Sequence, residues 1–573
     1  MERDPPKHDM QGSTELVYSD MKPSSLLKLL AVLLALHGCT SSDSPDSPPI
    51  SETITATPDT ADTAPADIVT PDTAATGDNG RPLTDAVEYD VGHATDTSRP
   101  IPEDPDVIVA DATPDDAPGH DADCAIDTTE PGDEDEWTGL FDMARISDPE
   151  AADCRFEARS TVLKNGVWLD LFEISYLSYE SVMGVLVPIR IRGYAARPRD
   201  GSDLPGIVQS HGLGGMAEES HATGTASLLE MFVLAYTGPG GGDKPANTSE
   251  GLGAGHAGGY RLFDTLVDPR GSWFWAHAVA AMRGLTCLAA HPDVDPERLG
   301  MTGFSAGGVT TLISSAVDER IKAGVPVSGT GAWDEAVKSP LAWQHALLDQ
   351  AGLTTASAEW TTLIEHLDSR SLLPATSTKL LMINGTGDEF FPLTAHMATF
   401  DAIPGDDKRT SLVANFDHGC YSVSGFEDTE TIEKRANLRV TGGQLMWFRH
   451  WLSHDPDFTH LPHAPVVEWT PNGPLLTVVA QVDGGGSRIE VEEVRAWGSN
   501  DDAYLFIGDK LDHQGDGVYM KVVPFQMQAN SVMFVDVQYK TKSLLAPKRF
   551  SISSPPVLPD GFQPRVRSIE NCL

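Results

Sequence analysis

The chain has 573 residues and a formal net charge of −44, with 84 acidic residues against 40 basic ones. An acidic surplus of that size excludes nucleic-acid binding driven by electrostatics, because phosphate recognition needs the opposite sign. The length suits two folded units once non-globular sequence is set aside.

Met1 to Asp20 is polar and suits no signal peptide, so translation starting at Met21 is an open alternative. Met21-Lys22-Pro23-Ser24-Ser25 forms a basic opening, and Leu26 to Leu36 is an apolar run containing Lys28, too short to span a bilayer. Leu36-His37-Gly38-Cys39 resembles the lipobox of bacterial lipoproteins. That resemblance implies a signal over residues 1–39 that is cleaved before Cys39. It further implies diacylation of the Cys39 thiol and anchoring in the cell envelope, facing the periplasm or the exterior, with plain secretion as the alternative. Residues 40–137 are rich in Asp, Pro, Thr, Ala and Ser and carry 26 carboxylates against Arg81 and Arg99, which accounts for more than half of the net charge. Such a stretch cannot bury enough apolar surface to offset its ordering entropy and is expected to be a disordered linker, with an end-to-end distance of roughly 55 Å or more.

A folded domain is expected over residues 138–458. Val167–Ile174 and Pro188–Tyr194 show partial alternation and predict strands, and Leu204–Ser210 and Met231–Tyr236 predict buried ones. The second of these pairs begins with a strand that runs into His211-Gly212-Leu213-Gly214-Gly215, a small-residue loop of the kind that offers a backbone N–H to an oxyanion. A helix from about Trp275 to Ala290 leads to the strand-like Arg298–Thr302. Next comes Gly303-Phe304-Ser305-Ala306-Gly307-Gly308, followed by a helix-compatible stretch. This is a nucleophile elbow pattern, in which glycines permit a bend tight enough to push the serine hydroxyl outward. A hydroxyl needs a general base, and the base needs a carboxylate. Lys379–Asn384 predicts a buried strand that delivers Asp388 at its end, and Ser411–Phe416 predicts another that delivers His418. The candidate triad is therefore Ser305, Asp388 and His418, with Glu389 and Asp417 as rival carboxylates. Leu213 and Ala306 are the candidate amide donors of the oxyanion hole. The order Ser, Asp, His is that of the α/β-hydrolase fold.

Residues from roughly 160 to 455 resemble the secreted α/β-hydrolases of the acetyl xylan esterase and dienelactone hydrolase group. The most specific stretch runs from His291-Pro292-Asp293-Val294-Asp295-Pro296-Glu297-Arg298 through the Ser305 elbow to Asp318-Glu319-Arg320-Ile321 and Pro326-Val327-Ser328-Gly329. Prolyl oligopeptidase-like peptidases share this segment, but they usually carry a tryptophan-serine elbow and a preceding β-propeller, and this sequence has neither. The resemblance implies an α/β class: a mostly parallel sheet flanked by helices, with a helical cap over about residues 330–377. It also implies a carboxylic ester hydrolase. No cofactor is expected, and the cysteine spacing and scattered histidines make no metal site. The rival readings are a peptidase and a non-catalytic surface-binding protein built on a hydrolase scaffold.

Trp333, Trp343 and Trp360 in the cap read first as packing and second as the lining of an acyl or sugar pocket. Past Pro465, alternating segments at Leu475–Ala480, Ile489–Trp497 and Val532–Val537, separated by turns, predict a small all-β, sandwich-like domain over residues 465–573. Trp469 or Trp497 would be its carbohydrate-binding residue if exposed. With Cys39 assigned to lipid, Cys124, Cys154, Cys287, Cys420 and Cys572 remain, an odd number that allows one or two disulfides. Cys287 is expected to be the unpaired buried thiol, and a bridge at Cys420 would hold the histidine loop. Gly253-Ala254-Gly255-His256-Ala257-Gly258 matches a dinucleotide fingerprint, but no strand enters it and no helix clearly follows, so it is discounted. His211, His396, His450 and His454 read as structural or exposed. The partner expected is a small or polymer-borne ester, and activity should rise as His418 loses its proton, with a midpoint of about 6.5 to 7.

Overall fold

The computed structural model describes residues 137–254, 260–339, 342–418, 429–543 and 547–565. The signal segment with Cys39, the linker up to residue 136, part of the discounted glycine fingerprint, and Cys124, Cys420 and Cys572 lie outside the described residues.

Among the described residues, nine strands precede the C-terminal region: β1 (Arg155–Lys164), β2 (Val167–Val182), β3 (Val185–Pro198), β4 (Leu204–Ser210), β5 (Phe232–Tyr236), β6 (Val294–Phe304), β7 (Ile321–Val327), β8 (Lys379–Gly385) and β9 (Lys408–Val413). In the sheet they lie in the order β1-β2-β3-β5-β4-β6-β7-β8-β9. From β5 to β9 all neighbours are parallel, whereas β1, β2 and β3 join antiparallel at one side. The chain leaves β4 through the helix Glu219–Leu229 to reach β5 on one side. It then crosses back through the helix Trp273–Ala289 to β6 on the other side of β4. Such a reversal opens a crevice at the carboxyl ends of β4 and β6, where ligands bind in parallel α/β sheets. β4 ends at Ser210 and β6 at Phe304, so the His211–Gly215 loop and Ser305 both emerge there.

Both faces of the sheet are covered, and the strands are accordingly apolar throughout. Ile207, Val233 and Ala235 turn into one core, while Val208, Phe232, Leu234 and Tyr236 turn into the other, as the two-residue period of a strand requires. The second core is closed by the helix Trp273–Ala289, which is apolar around nearly its whole circumference and correspondingly buried. Ser272 caps it by accepting from the Phe274 N–H at 3.2 Å. Its one charged side chain, Arg283, donates to the carbonyls of Leu177 at 3.0 Å and Arg145 at 2.6 Å, so burial leaves most of its donors paired.

Cys287 on this helix is bonded to Cys154, just before β1, with Cα atoms 5.6 Å apart. This corrects the expectation of a free thiol. The pairing depends on the 142–154 segment folding back over the helix, a contact 133 residues away in sequence. A bridge closing so long a loop stabilises by about 2–5 kcal/mol, mainly by restricting the unfolded chain.

Where a cap is expected, the chain forms short helices, including Trp343–Ala351 and Ala358–His366. Trp333, Trp343 and Trp360 are all buried in one cluster with Trp275, Phe390 and Phe391. They pack the cap onto the hydrolase, in line with the packing reading.

The C-terminal region is antiparallel: β10 (Val466–Asn472), β11 (Leu475–Gln481), β12 (Ile489–Ser499), β13 (Ile507–Lys510), β14 (Asp512–Gly515), β15 (Val518–Val523), β16 (Val532–Thr541) and β17 (Arg549–Ser553). Four of these strands form a separate sheet in the order β10-β11-β15-β14. The others extend the large sheet beyond β9 in the order β17-β16-β12-β13, giving it 13 strands. Leu476 and Val478 of the small sheet share a core with Val494 and Val535 of the extension and with Leu381 and Ile383 of β8. The β layers and the hydrolase therefore have one continuous interior. At the seam, Arg439 of the helix Thr429–Phe448 is buried in an ion pair with Asp536 of β16. Burial pulls this guanidinium down to about 10, and the Asp536 charge opposes that pull. Trp497 is only 3% exposed and lies under the Arg435 guanidinium, 4.5 Å from its ring centre. It fills the interior and offers no sugar platform. Trp469, partly buried, packs against the core that holds Leu476, Val478 and Val494.

Candidate active site

Ser305 takes φ 59° and ψ −123°, a combination a non-glycine residue adopts only where its surroundings enforce it. The enforcement is visible. Ser305 N–H donates to Val327 O at 3.0 Å, and Ser305 O accepts from Val309 N–H at 3.1 Å, starting the helix Ala306–Val317. Gly307 lies so close to β4 that a Cβ there would stand 2.4 Å from Ser210 O and 2.7 Å from His211 O. Both obstacles are backbone. Gly307→Ala is therefore expected to push the elbow away from β4 and lower ester turnover by about 10²-fold, the usual cost of a displacement near 1 Å at reacting groups. Steady-state assay of the folded variant checks this.

Ser305 Oγ lies 2.8 Å from His418 Nε2. On the other side of the ring, His418 Nδ1 is 3.0 Å and 3.1 Å from the two carboxylate oxygens of Asp388. A carboxylate only accepts, so Nδ1 carries the proton and Nε2 is left to accept from the serine hydroxyl. Asp388 Oδ1 also accepts the N–H groups of Phe390 at 3.0 Å and Phe391 at 2.8 Å. These bonds fix the acid loop after β8. The Phe390 ring stacks on the imidazole with centroids 4.2 Å apart, and Trp343 of the cap stacks on Phe390 in turn. Gly385 lets the two loops cross, because a Cβ there would meet Phe416 O at 2.3 Å.

All three side chains are buried. Burial pushes the His418 imidazole toward its neutral form. The charge and hydrogen bond of Asp388, helped by Glu389 and Asp417, outweigh that and hold its pKa above the ordinary 6.5. Of the rival carboxylates, Glu389 turns to the backbone of the same residue and accepts the His418 N–H at 3.1 Å. Burial, with the charges of Asp388 and Asp417, raises Glu389 to about 8. Asp417 is buried nearby, and its charge acts on both.

Gly212 lies directly against the elbow, since a Cβ on it would be 3.3 Å from Ser305 Cβ. The Leu213 amide, one residue on, and the Ala306 amide at the helix start thus flank the hydroxyl in sequence. His211 is committed elsewhere: its Nε2 accepts the Gly238 N–H at 2.7 Å, and its Nδ1–H donates to Gly212 O at 2.6 Å. Burial lowers its pKa to about 4, so it stays neutral at ordinary pH and holds the loop's peptide plane. His396 is likewise buried, with its Nε2 2.9 Å from Thr410 Oγ1. Among the described residues no group of three or more His, Cys, Asp or Glu is arranged to hold a metal ion. Among them, too, no helix is long and apolar enough to cross a membrane.

Residues 156–330 match the family model of acetyl xylan esterase (AXE1), and residues 280–437 match that of the prolyl oligopeptidase family. The fold is that of the α/β-hydrolases. The chain is a carboxylic ester hydrolase, similar over residues 156–330 to acetyl xylan esterases. No curated protein matches it in sequence. Similar solved structures include the acetyl xylan esterase from Paenibacillus sp. R4, at 17% identity and TM-score 0.40 over 52% of this chain and 91% of that one. Another is acetyl xylan esterase 1 from Thermoanaerobacterium sp. JW/SL YS485, at 17% identity and TM-score 0.38 over 50% and 88%. A third is dipeptidyl peptidase 4 from Porphyromonas gingivalis, at 14% identity and TM-score 0.32 over 48% and 40%.

Proposed function

We propose that the protein is a serine esterase, lipid-anchored through Cys39 or secreted, that removes short acyl groups from a polymer such as an acetylated polysaccharide. The observation that carries this reading is the 2.8 Å contact between Ser305 Oγ and His418 Nε2, with Asp388 on the opposite ring nitrogen. Ser305 Oγ attacks the ester carbonyl while His418 Nε2 takes its proton. The imidazolium then gives that proton to the departing alcohol. Water hydrolyses the acyl-enzyme by the same route, with His418 again acting as base. Asp388 keeps the imidazole oriented and stabilises its charge. The Leu213 and Ala306 amides receive the oxyanion, each worth on the order of 10²–10³ in rate. Residues 40–137 serve as the solvated linker and residues 138–458 as the catalytic unit, followed by the β region.

Two measurements test the reading. A fluorophosphonate probe should label the wild-type protein and not Ser305→Ala; equal labelling of both would sink it. The pH profile supplies the second. Protonated His418 cannot act as base, so kcat/KM should fall as pH drops through a pKa above 6.5. In Asp388→Asn the carboxylate charge is gone, so that limb should move down and kcat should drop by about 10⁴-fold. A limb that stays in place would remove Asp388 from the role. The match of residues 280–437 to the prolyl oligopeptidase family favours a peptidase as the second reading. Turnover of aminoacyl anilides with no turnover of acyl nitrophenyl esters would select it.

A further inference from the structure

The loop carrying His418 is tied both to the acid loop and to the C-terminal β region. Three residues before His418, Asn415 is buried at φ 60°. Its side-chain amide closes a two-bond ring with a single residue of the β12–β13 connection. Asn415 Nδ2–H donates to Phe506 O at 2.9 Å, and Phe506 N–H donates to Asn415 Oδ1 at 2.7 Å. The backbone N–H of Asn415 donates to Thr386 Oγ1 at 2.9 Å, two residues ahead of Asp388 in the acid loop. The Gly387 N–H donates to Phe416 O at 2.9 Å. The β region adds a second tie, because Leu412 N–H at the end of β9 donates to Ser553 Oγ of β17 at 2.9 Å. The Phe506 ring lies in one cluster with Leu412, Ala414, Trp497 and Phe534.

We propose that Asn415 is a positioning residue, and that through it the Phe506 backbone of the C-terminal β region sets the reach of His418 to Ser305. This rests on the Ser305–His418–Asp388 reading. A carboxamide can satisfy a peptide N–H and C=O at once, through its oxygen and its NH2. A carboxylate in its place would turn an acceptor toward Phe506 O with no proton between them. Removing the side chain leaves both backbone groups of Phe506 buried without these partners. The positive φ suits asparagine, and glycine even better, so Asn415→Gly keeps the turn while deleting the ring.

The test compares Asn415→Gly and Asn415→Asp in the full-length protein with Val478→Ala, which opens a cavity in a core cluster that does not include Phe506. The Asn415 variants, shown to be folded by circular dichroism, should lose about 10- to 100-fold in kcat for an acyl nitrophenyl ester, with KM within about twofold. Fluorophosphonate labelling should slow in parallel. Val478→Ala should lose stability and keep kcat. Folded Asn415→Gly and Asn415→Asp with wild-type kcat and labelling rate would overturn the inference, as would an equal loss of kcat in Val478→Ala. An absence of labelling in the wild-type protein would overturn the esterase reading itself, and this inference with it.

Discussion

Replacing Ser305 by alanine is expected to lower kcat on a short acyl nitrophenyl ester by about 10⁴- to 10⁶-fold, with little change in substrate binding. The hydroxyl is the atom that forms the acyl bond. Without it, only water delivered to the bound ester can react, assisted by whatever the Gly212–Leu213 loop and the helix start supply to the oxyanion. His418→Ala should fall nearly as far, because an unassisted hydroxyl is a poor nucleophile at neutral pH. The diagnostic is the double variant. If the two groups act as one unit through their 2.8 Å contact, removing both should cost little more than removing Ser305 alone. Multiplying losses would mean that they work separately. Pre-steady-state kinetics supply a further check, since an acyl-enzyme burst should vanish in Ser305→Ala.

The second large effect is on stability. Asp536→Ala is expected to destabilise the folded protein by about 3–5 kcal/mol, because it strands the Arg439 guanidinium in the interior between β16 and the helix Thr429–Phe448. Asp536 also accepts from Ser553 at 3.0 Å and from Ser551, and those hydroxyls would lose that partner. Replacing both charges, as Asp536→Leu with Arg439→Met, should recover much of the loss, since a pair of apolar side chains needs no compensating charge. Urea denaturation of the single and double variants measures both quantities. A loss under 1 kcal/mol in Asp536→Ala would mean that the pair is solvated in practice.

The parallel strands were legible in the sequence because both faces are buried, and Phe232–Tyr236, for instance, is a run of five buried, largely apolar residues. The elbow was legible because its geometry demands small residues at fixed offsets, as the backbone contacts at Gly307 make plain. Asp388 and His418 could be proposed because each stands just past such a strand. β1 left no comparable signal: Arg155–Lys164 is an edge strand with most of its side chains in solvent, and its pattern carries no continuous apolar face. The Cys154–Cys287 bond was hidden for a different reason. Pairing is decided by where two remote segments lie, and spacing along the chain says nothing of that. The extension of the large sheet past β9 was equally hidden, since β9 and β17 are joined through a single paired position, Thr410 with Ser553, and otherwise through side chains. The Asn415–Phe506 ring spans 91 residues and involves the backbone of its partner, so no residue type at 506 could have announced it.

The Cys154–Cys287 bond turns β1 to β5, the His211–Gly215 loop and most of the helix Trp273–Ala289 into one covalent ring, with Ser305, Asp388 and His418 on the open chain beyond it. A single protease cut inside the ring, for example near the exposed Leu252, therefore leaves the polypeptide in one piece on a non-reducing gel and in two once thiol is added. A cut between Cys287 and Ser305 would separate the serine from the ring under either condition.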